Sequence, residues 1–257
     1  MNEPDRYAVH RRHGIATVLI GDGHRANALR SRDWAALTAL FDDFAADSTL
    51  RAIVVSGRAN TSFCAGSDMR EWVDAAPEAI DASFEVMENA FAAIERTPVP
   101  VIALVRGVAA GAGCQLACAC DVRIVAADTK IGMPIARWGI LVSPAFLARI
   151  ALLTGLPAAR ELLLTGRMAD GAEAVRLGLA TTLMPAQDLD DAASALAAQI
   201  ASMPPAAIRA VKRSANVLLE PERRRLRVLQ AGHSADYQSM QPSLAGFLAS
   251  PVEGLSA

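Results

Sequence analysis

Two short stretches combine residue types and spacing that suit chemistry: TSFCAGSDMREW, residues 61–72, and GVAAGAG, residues 107–113. Each follows a short apolar run, RAIVVSG or VIALVRG, and in α/β folds functional sites gather at the C-terminal ends of such strands. Backbone N–H groups at a turn that opens a helix have no partner in that helix, and they attract developing negative charge. Two of them converging on one carbonyl oxygen form an oxyanion hole, where each donor contributes about 3 to 4 kcal/mol. The same spacing also serves a plain chain reversal, and spacing alone leaves both readings open.

The side chains around these turns offer little nucleophilic or metal chemistry. Cys64 precedes the glycine and has no histidine close in sequence, while Cys114, Cys118 and Cys120 form no CxxC pair. All four read as small hydrophobes filling a core, with no metal site expected. His10, His13 and His24 fall on the first hairpin and the loop after it, and read as surface residues.

The elements that position the turns follow from periodicity. YAVHRR and IATVLI alternate as paired strands around His13–Gly14. SRDWAALTALFDDFAAD reads as a helix with Ser31 as its N-cap, and RAIVVSG as a buried strand. A helix over about residues 79–96 ends at TPVP, because proline cannot continue it. VIALVRG and VRIVAAD are further buried strands. PAFLARIALLTG, PAARELLLTG, GAEAVRLG, DLDDAASALAAQIASM and PPAAIRAVKRSANVLL read as helices, with Pro205 in the first turn of the last. EPERRRLR reads as a solvated helix face. The expected organisation is an α/β core over residues 1–195 and a helical oligomerisation region over 196–257.

Bulk properties exclude several function classes. Of 257 residues, 53% are hydrophobic but only 5% aromatic, so the core must be aliphatic, as suits helices packed closely on a sheet. A net charge of −2 with no basic stripe gives no field for nucleic acid. Lys130 and Lys212 are the only lysines, leaving arginine to meet any phosphate. The longest apolar stretch is interrupted by Arg106 and by glycines, and reads as strand, turn and helix rather than a membrane span. With no apolar leader in MNEPDRYAVHRRHG, four cysteines point to reduced thiols and a cytoplasmic location.

Taken in order, RAIVVSGRANTSFCAGSDMREW, PVIALVRGVAAGAGCQLACACDVRIVAAD and ELLLTGRMADGAEAVRLGLA resemble the enoyl-CoA hydratase/isomerase (crotonase) superfamily, with the likeness running from about Tyr7 to Asn216. The resemblance implies a crotonase-like α/β spiral of repeated ββα units with a C-terminal helical trimerisation region. It also implies a homotrimer or dimer of trimers, and an acyl-CoA thioester as substrate with no permanently bound cofactor. It makes the Ser67 and Ala112 amides the oxyanion donors, and sets Arg25 and Arg70 near the nucleotide and phosphates of CoA. Ala26, Ala65, Asp68, Met69, Ile135, Trp138 and Ser143 complete the implied substrate site, with Asp68 bracing the turn.

The same resemblance places Gln115 and Ile135 where hydratases of the family carry two glutamates, and Ser143 where related branches carry an aspartate. Hydration needs a base on the water and an acid at the α-carbon, and neither glutamine nor isoleucine moves a proton near neutral pH. Gln115 is left to hold a water or a substrate carbonyl. Three readings remain: an enzyme that stabilises a thioester enolate; a decarboxylase-type acyl-CoA lyase, with Arg137 as the candidate carboxylate partner; and a non-catalytic acyl-CoA-binding protein. A nicotinamide-dehydrogenase reading of GVAAGAG fails, because the motif lies in mid-chain and neither Tyr7 nor Tyr237 has a lysine four residues on. The C-terminal PSLAGFLASPVEGLSA keeps GFL but lacks the basic tail that family members use toward CoA of a neighbouring subunit.

Overall fold

A computed structural model gives the fold of residues 6–229 and 233–249; the N-terminal five residues, the tail after Ala249 and most side chains of EPERRRLR lie outside the described residues. The main sheet has six strands: β1 (Tyr7–Arg12), β2 (Ile15–Ile20), β3 (Ala52–Gly57), β4 (Val101–Val105), β6 (Val122–Ala126) and β9 (Thr182–Met184), in the order β1-β2-β3-β4-β6-β9. Within this sheet the β1–β2 hairpin is antiparallel and the pairs β2–β3, β3–β4, β4–β6 and β6–β9 are parallel, with Ile53 opposite Val101 across β3 and β4. A second sheet joins β5 (Val108–Ala110), β7 (Lys130–Gly132) and β8 (Met168–Asp170). The chain thus leaves the main sheet after β4 and again after β6 to add a strand to the smaller one, as the expected ββα spiral requires.

β3 and β4 are buried on both faces, which is why they read as continuous apolar runs rather than alternating ones. Ile53 and Val55 on β3, with Val101, Ala103 and Val105 on β4, face the larger core. That core is closed by α1 (Ser31–Ala46), α2 (Pro77–Arg96), α3 (Ala112–Ala119) and α4 (Pro144–Thr154). Ala52, Val54, Ile102, Leu104 and Ile124 point the other way, onto Leu189, Ala193 and Ala197 of α7 (Leu189–Ser202). The boundary expected at 195/196 therefore falls inside a helix that belongs to the sheet's own packing. Between α4 and α7 lie α5 (Leu156–Thr165) and α6 (Gly171–Leu177), and α8 (Pro205–Leu229) and α9 (Tyr237–Ala249) complete the chain.

Pro205 opens α8 as expected, but Ser31 is not the cap of α1. Arg30 holds the extended cap conformation, its N–H donating to Asp33 at 2.8 Å. Ser31 instead gives its N–H and hydroxyl to the Glu71 carboxylate. All four cysteines are buried free thiols, in line with a packing role, and burial pushes Cys64 and Cys120 up to about 12. No helix among the described residues is long and apolar enough to cross a membrane.

Candidate functional site

The two turns singled out in the sequence lie side by side. Cys64 bridges to Ala109, and the Ala110 N–H donates to the Cys64 carbonyl at 3.0 Å. Gly66, at φ +97°, lies where an added Cβ would come within 2.8 Å of the Ala110 carbonyl oxygen and 3.0 Å of the Ala112 nitrogen. A Cβ on Gly113 would sit 1.9 Å from the Cys64 carbonyl. Both glycines are thus required by how closely the two backbones approach.

Around Ser67 the neighbouring backbone groups are all engaged: Ala65 N–H with Ala26 O, Leu29 N–H with Gly66 O, and Asp68 N–H with Leu29 O, each at 2.8 Å. The Ser67 N–H itself has no acceptor among the described residues. Ala112 is the first residue of α3, where an N–H has no intrahelical partner. On either side of it, Gly111 N–H donates to Gly132 O at 2.9 Å and Gln115 N–H to Gly111 O at 3.1 Å. Trp34, from α1, donates its indole N–H to the Ser67 hydroxyl at 3.3 Å, and that hydroxyl donates to the Met87 sulfur at 2.8 Å.

A strained segment carries the opposite rim. Arg25, Ala26 and Asn27 all have φ between 48° and 58°, unusual for three successive non-glycine residues. Asn27 is fully buried and holds them there. Its amide donates to Arg58 O at 3.0 Å and Ser62 O at 2.8 Å, while its carbonyl accepts from Gly23 N–H at 2.9 Å.

Between the rims opens a cavity of about 410 Å³. Of the residues expected at the site, Arg25, Ala26, Ala65, Ser67, Asp68, Met69, Arg70, Ala112, Ile135 and Trp138 line it. The charged ones, Arg25, Asp68 and Arg70, are consecutive with or close to the first turn. Asp68 accepts from Arg25 at 3.1 Å and from the Arg70 N–H at 3.4 Å. The rest of the lining is mostly apolar, with Trp72, Phe84, Met87, Met133, Phe146 and Phe247 among it. The Trp72 indole N–H is satisfied by Ser83 at 2.9 Å, and Trp72 stacks on Phe84 with ring centres 5.2 Å apart. Phe247 meets Trp138 edge to face at 5.0 Å and brings α9 onto the cavity.

Two expected residues are not brought to this cavity. Ser143 caps α4, its hydroxyl accepting from the Phe146 N–H at 3.1 Å. Gln115 is fully buried, its carbonyl on Arg149 at 2.7 Å and its amide donating to Phe146 O and the Met133 sulfur. Arg137 is exposed and packs beside Gly166 rather than entering the cavity. The apolar wall from α2, α4 and α9 was missed in the sequence, since its residues carry the same signal as ordinary core.

Chemically, the arrangement offers two backbone N–H groups without an acceptor among the described residues, cations near the first turn, and a mostly apolar chamber. In such a chamber those donors act far more strongly than in water.

Comparison with known proteins bears on the family and the fold. The family profile described as enoyl-CoA hydratase/isomerase matches residues 10–249. A Mycobacterium tuberculosis protein named probable enoyl-CoA hydratase echA8 is 34% identical over 213 residues, covering 82% of this chain and 81% of its own. Carnitinyl-CoA dehydratase of Proteus mirabilis is 33% identical over 202 residues, covering 77% of this chain and 76% of its own. The crystal structure of an enoyl-CoA hydratase/carnithine racemase from Magnetospirillum magneticum superposes with a TM-score of 0.81 at 30% identity, over 99% of this chain and 92% of that one.

Proposed function

Because the chain belongs to the enoyl-CoA hydratase/isomerase family of the crotonase superfamily, we propose that it is an enzyme acting on an acyl-CoA thioester, with the Ser67 and Ala112 N–H groups holding the thioester oxygen and stabilising an enolate. The observation that carries this is the pair of amides without acceptors on two interlocked turns at the edge of an apolar cavity. As charge moves onto the thioester oxygen, donors already in place strengthen their bonds without reorganising. Arg25 and Arg70 suit the phosphates of CoA, and the apolar chamber suits the acyl group.

Which step follows enolate formation depends on the remaining lining. Its ionisable side chains are Arg25, Asp68 and Arg70, and Asp68 is committed to Arg25. Ile135 stands in the chamber where a proton carrier would be useful. This supports a second reading, loss of CO2 from a carboxylated acyl group. The bond from the α-carbon to the carboxyl breaks, its electron pair becomes the enolate, and water returns a proton. An apolar wall disfavours the starting carboxylate while the two amides favour the enolate, so the difference between the states falls in the right direction. The exposed Leu152, Leu156 and Leu164 on α4 and α5 support assembly with further copies, as a trimer or a dimer of trimers.

The test is titration with acetoacetyl-CoA, whose enolate absorbs in the near ultraviolet. Bound ligand is expected to enolise at lower pH than free ligand. Binding without such a shift refutes the oxyanion hole, and no binding refutes the thioester reading. Turnover of crotonyl-CoA against CO2 release from malonyl-CoA separates the two reactions. An enolisation shift with neither turnover identifies an acyl-CoA-binding protein.

A further inference from the structure

Behind the inner wall of the cavity lies a polar cluster with no direct access to it. Arg149, on α4, is 8% exposed; its Nε donates to Glu95 at 2.9 Å, and its two terminal nitrogens donate to Glu88 at 2.7 and 3.3 Å. The same guanidinium donates to the Gln115 carbonyl at 2.7 Å. The Gln115 amide in turn donates to the Phe146 carbonyl at 3.1 Å and to the Met133 sulfur at 2.7 Å. Met133 and Phe146 both line the cavity, and Gln115 lies one turn after Ala112 on α3.

We infer that Arg149, acting through Gln115, is the positioning residue of the acyl cavity's inner wall, and that a neutral amide at position 115 is what this wall requires. An amide both accepts and donates, so Gln115 can tie the guanidinium on one side to two wall residues on the other. A carboxylate at the same place accepts only. It would lose both donations, set an oxygen against the Phe146 carbonyl, and add a third negative group to a guanidinium already shared by two carboxylates. Gln115 is therefore not an idle replacement for a proton-carrying glutamate but part of the scaffold that shapes the acyl chamber. A glutamate restored there is captured by Arg149 and does not face substrate.

This inference rests on the acyl-CoA reading, so the experiment separates the two. Dissociation constants for CoA and for butyryl-CoA are measured by calorimetry on the wild type, Gln115→Glu, Gln115→Met and Arg149→Lys. The ratio of the two constants isolates what the acyl group contributes. It is expected to fall about tenfold or more in Gln115→Glu, with CoA binding itself little changed. Gln115→Met fills the same volume without donating and keeps the question answerable if Gln115→Glu fails to fold; its ratio is expected to fall in between. Arg149→Lys retains the charge but cannot span three partners, and is expected to behave like Gln115→Met. A merely structural role would lower the melting temperature and leave the ratio alone. An unchanged ratio in folded Gln115→Met and Arg149→Lys overturns the inference. A wild type that binds neither ligand overturns the thioester reading, and this inference with it.

Discussion

Replacing Ala112 by its α-hydroxy analogue, lactic acid, converts one peptide bond to an ester and deletes one of the two proposed oxyanion donors without adding an atom. The fold is expected to tolerate it. The Ala112 N–H is the first of α3 and has no acceptor among the described residues. The only collateral change is a weaker Gly111 carbonyl, which accepts from Gln115 N–H at 3.1 Å. Weakening one ordinary hydrogen bond costs at most about 1 kcal/mol. The effect on the bound enolate is larger, because one preorganised donor contributes about 3 to 4 kcal/mol. At about 1.4 kcal/mol per pKa unit, bound acetoacetyl-CoA should enolise about 2 to 3 units higher than in the wild type. The assay is the pH titration of its near-ultraviolet absorbance at saturating protein. A folded ester variant whose bound ligand enolises as in the wild type would show that Ala112 does not point at the thioester oxygen.

The rim and the C-terminal helix give two further tests. Asn27→Ala removes a buried side chain bonded to three backbone groups and should cost about 3 kcal/mol, lowering the melting temperature by about 6 to 12 °C; a fall within about 2 °C would mean that the left-handed segment holds itself. Asp81 receives Tyr237 O–H at 2.6 Å and Ser234 N–H at 2.8 Å, fastening the start of α9 to α2. Desolvation opposes its ionisation, but these bonds and His233 outweigh it and hold the carboxyl below its ordinary 3.8. A lowered carboxyl stabilises the fold above its unfolded value and loses that contribution as pH falls through the folded one. The wild type should therefore lose more melting temperature than Asp81→Asn between about pH 5 and about pH 3, and equal losses would refute the fastening.

Parts of this molecule were legible in the sequence for physical reasons, and others were hidden for equally physical ones. β3 and β4 announce themselves because strands buried on both faces need unbroken apolar runs, and the glycines at 66 and 113 mark a backbone approach that admits no Cβ. β5, β7 and β8 have three residues each, too few for any period to show. Ser31 has the residue type of a cap, yet Glu71, 40 positions away, takes it, and Asp33 serves Arg30 instead. Gln115 and Ser143 were placed by the family resemblance, which aligns positions along the chain but does not say which way a side chain turns. The partner that turns Gln115 away, Arg149, comes 34 residues later. Asn27 sits in a stretch that reads simply as a loop, although its amide organises one rim of the site.

The proposed charge-holding groups belong to the main chain, and this separates where the chemistry happens from where it is vulnerable. Any amino acid except proline supplies the N–H at 67 and 112, so substitutions there change bulk and leave the donor in place. The intolerant positions are one step away, at Gly66 and Gly113, where a single methyl group would drive the two turns apart. A saturation scan would thus outline the site like a mould, with the strongest signals at residues that touch no ligand and quiet ones at those that do. The same separation leaves the chamber walls free to be exchanged for other substrates while the anchor for the carbonyl stays where it is.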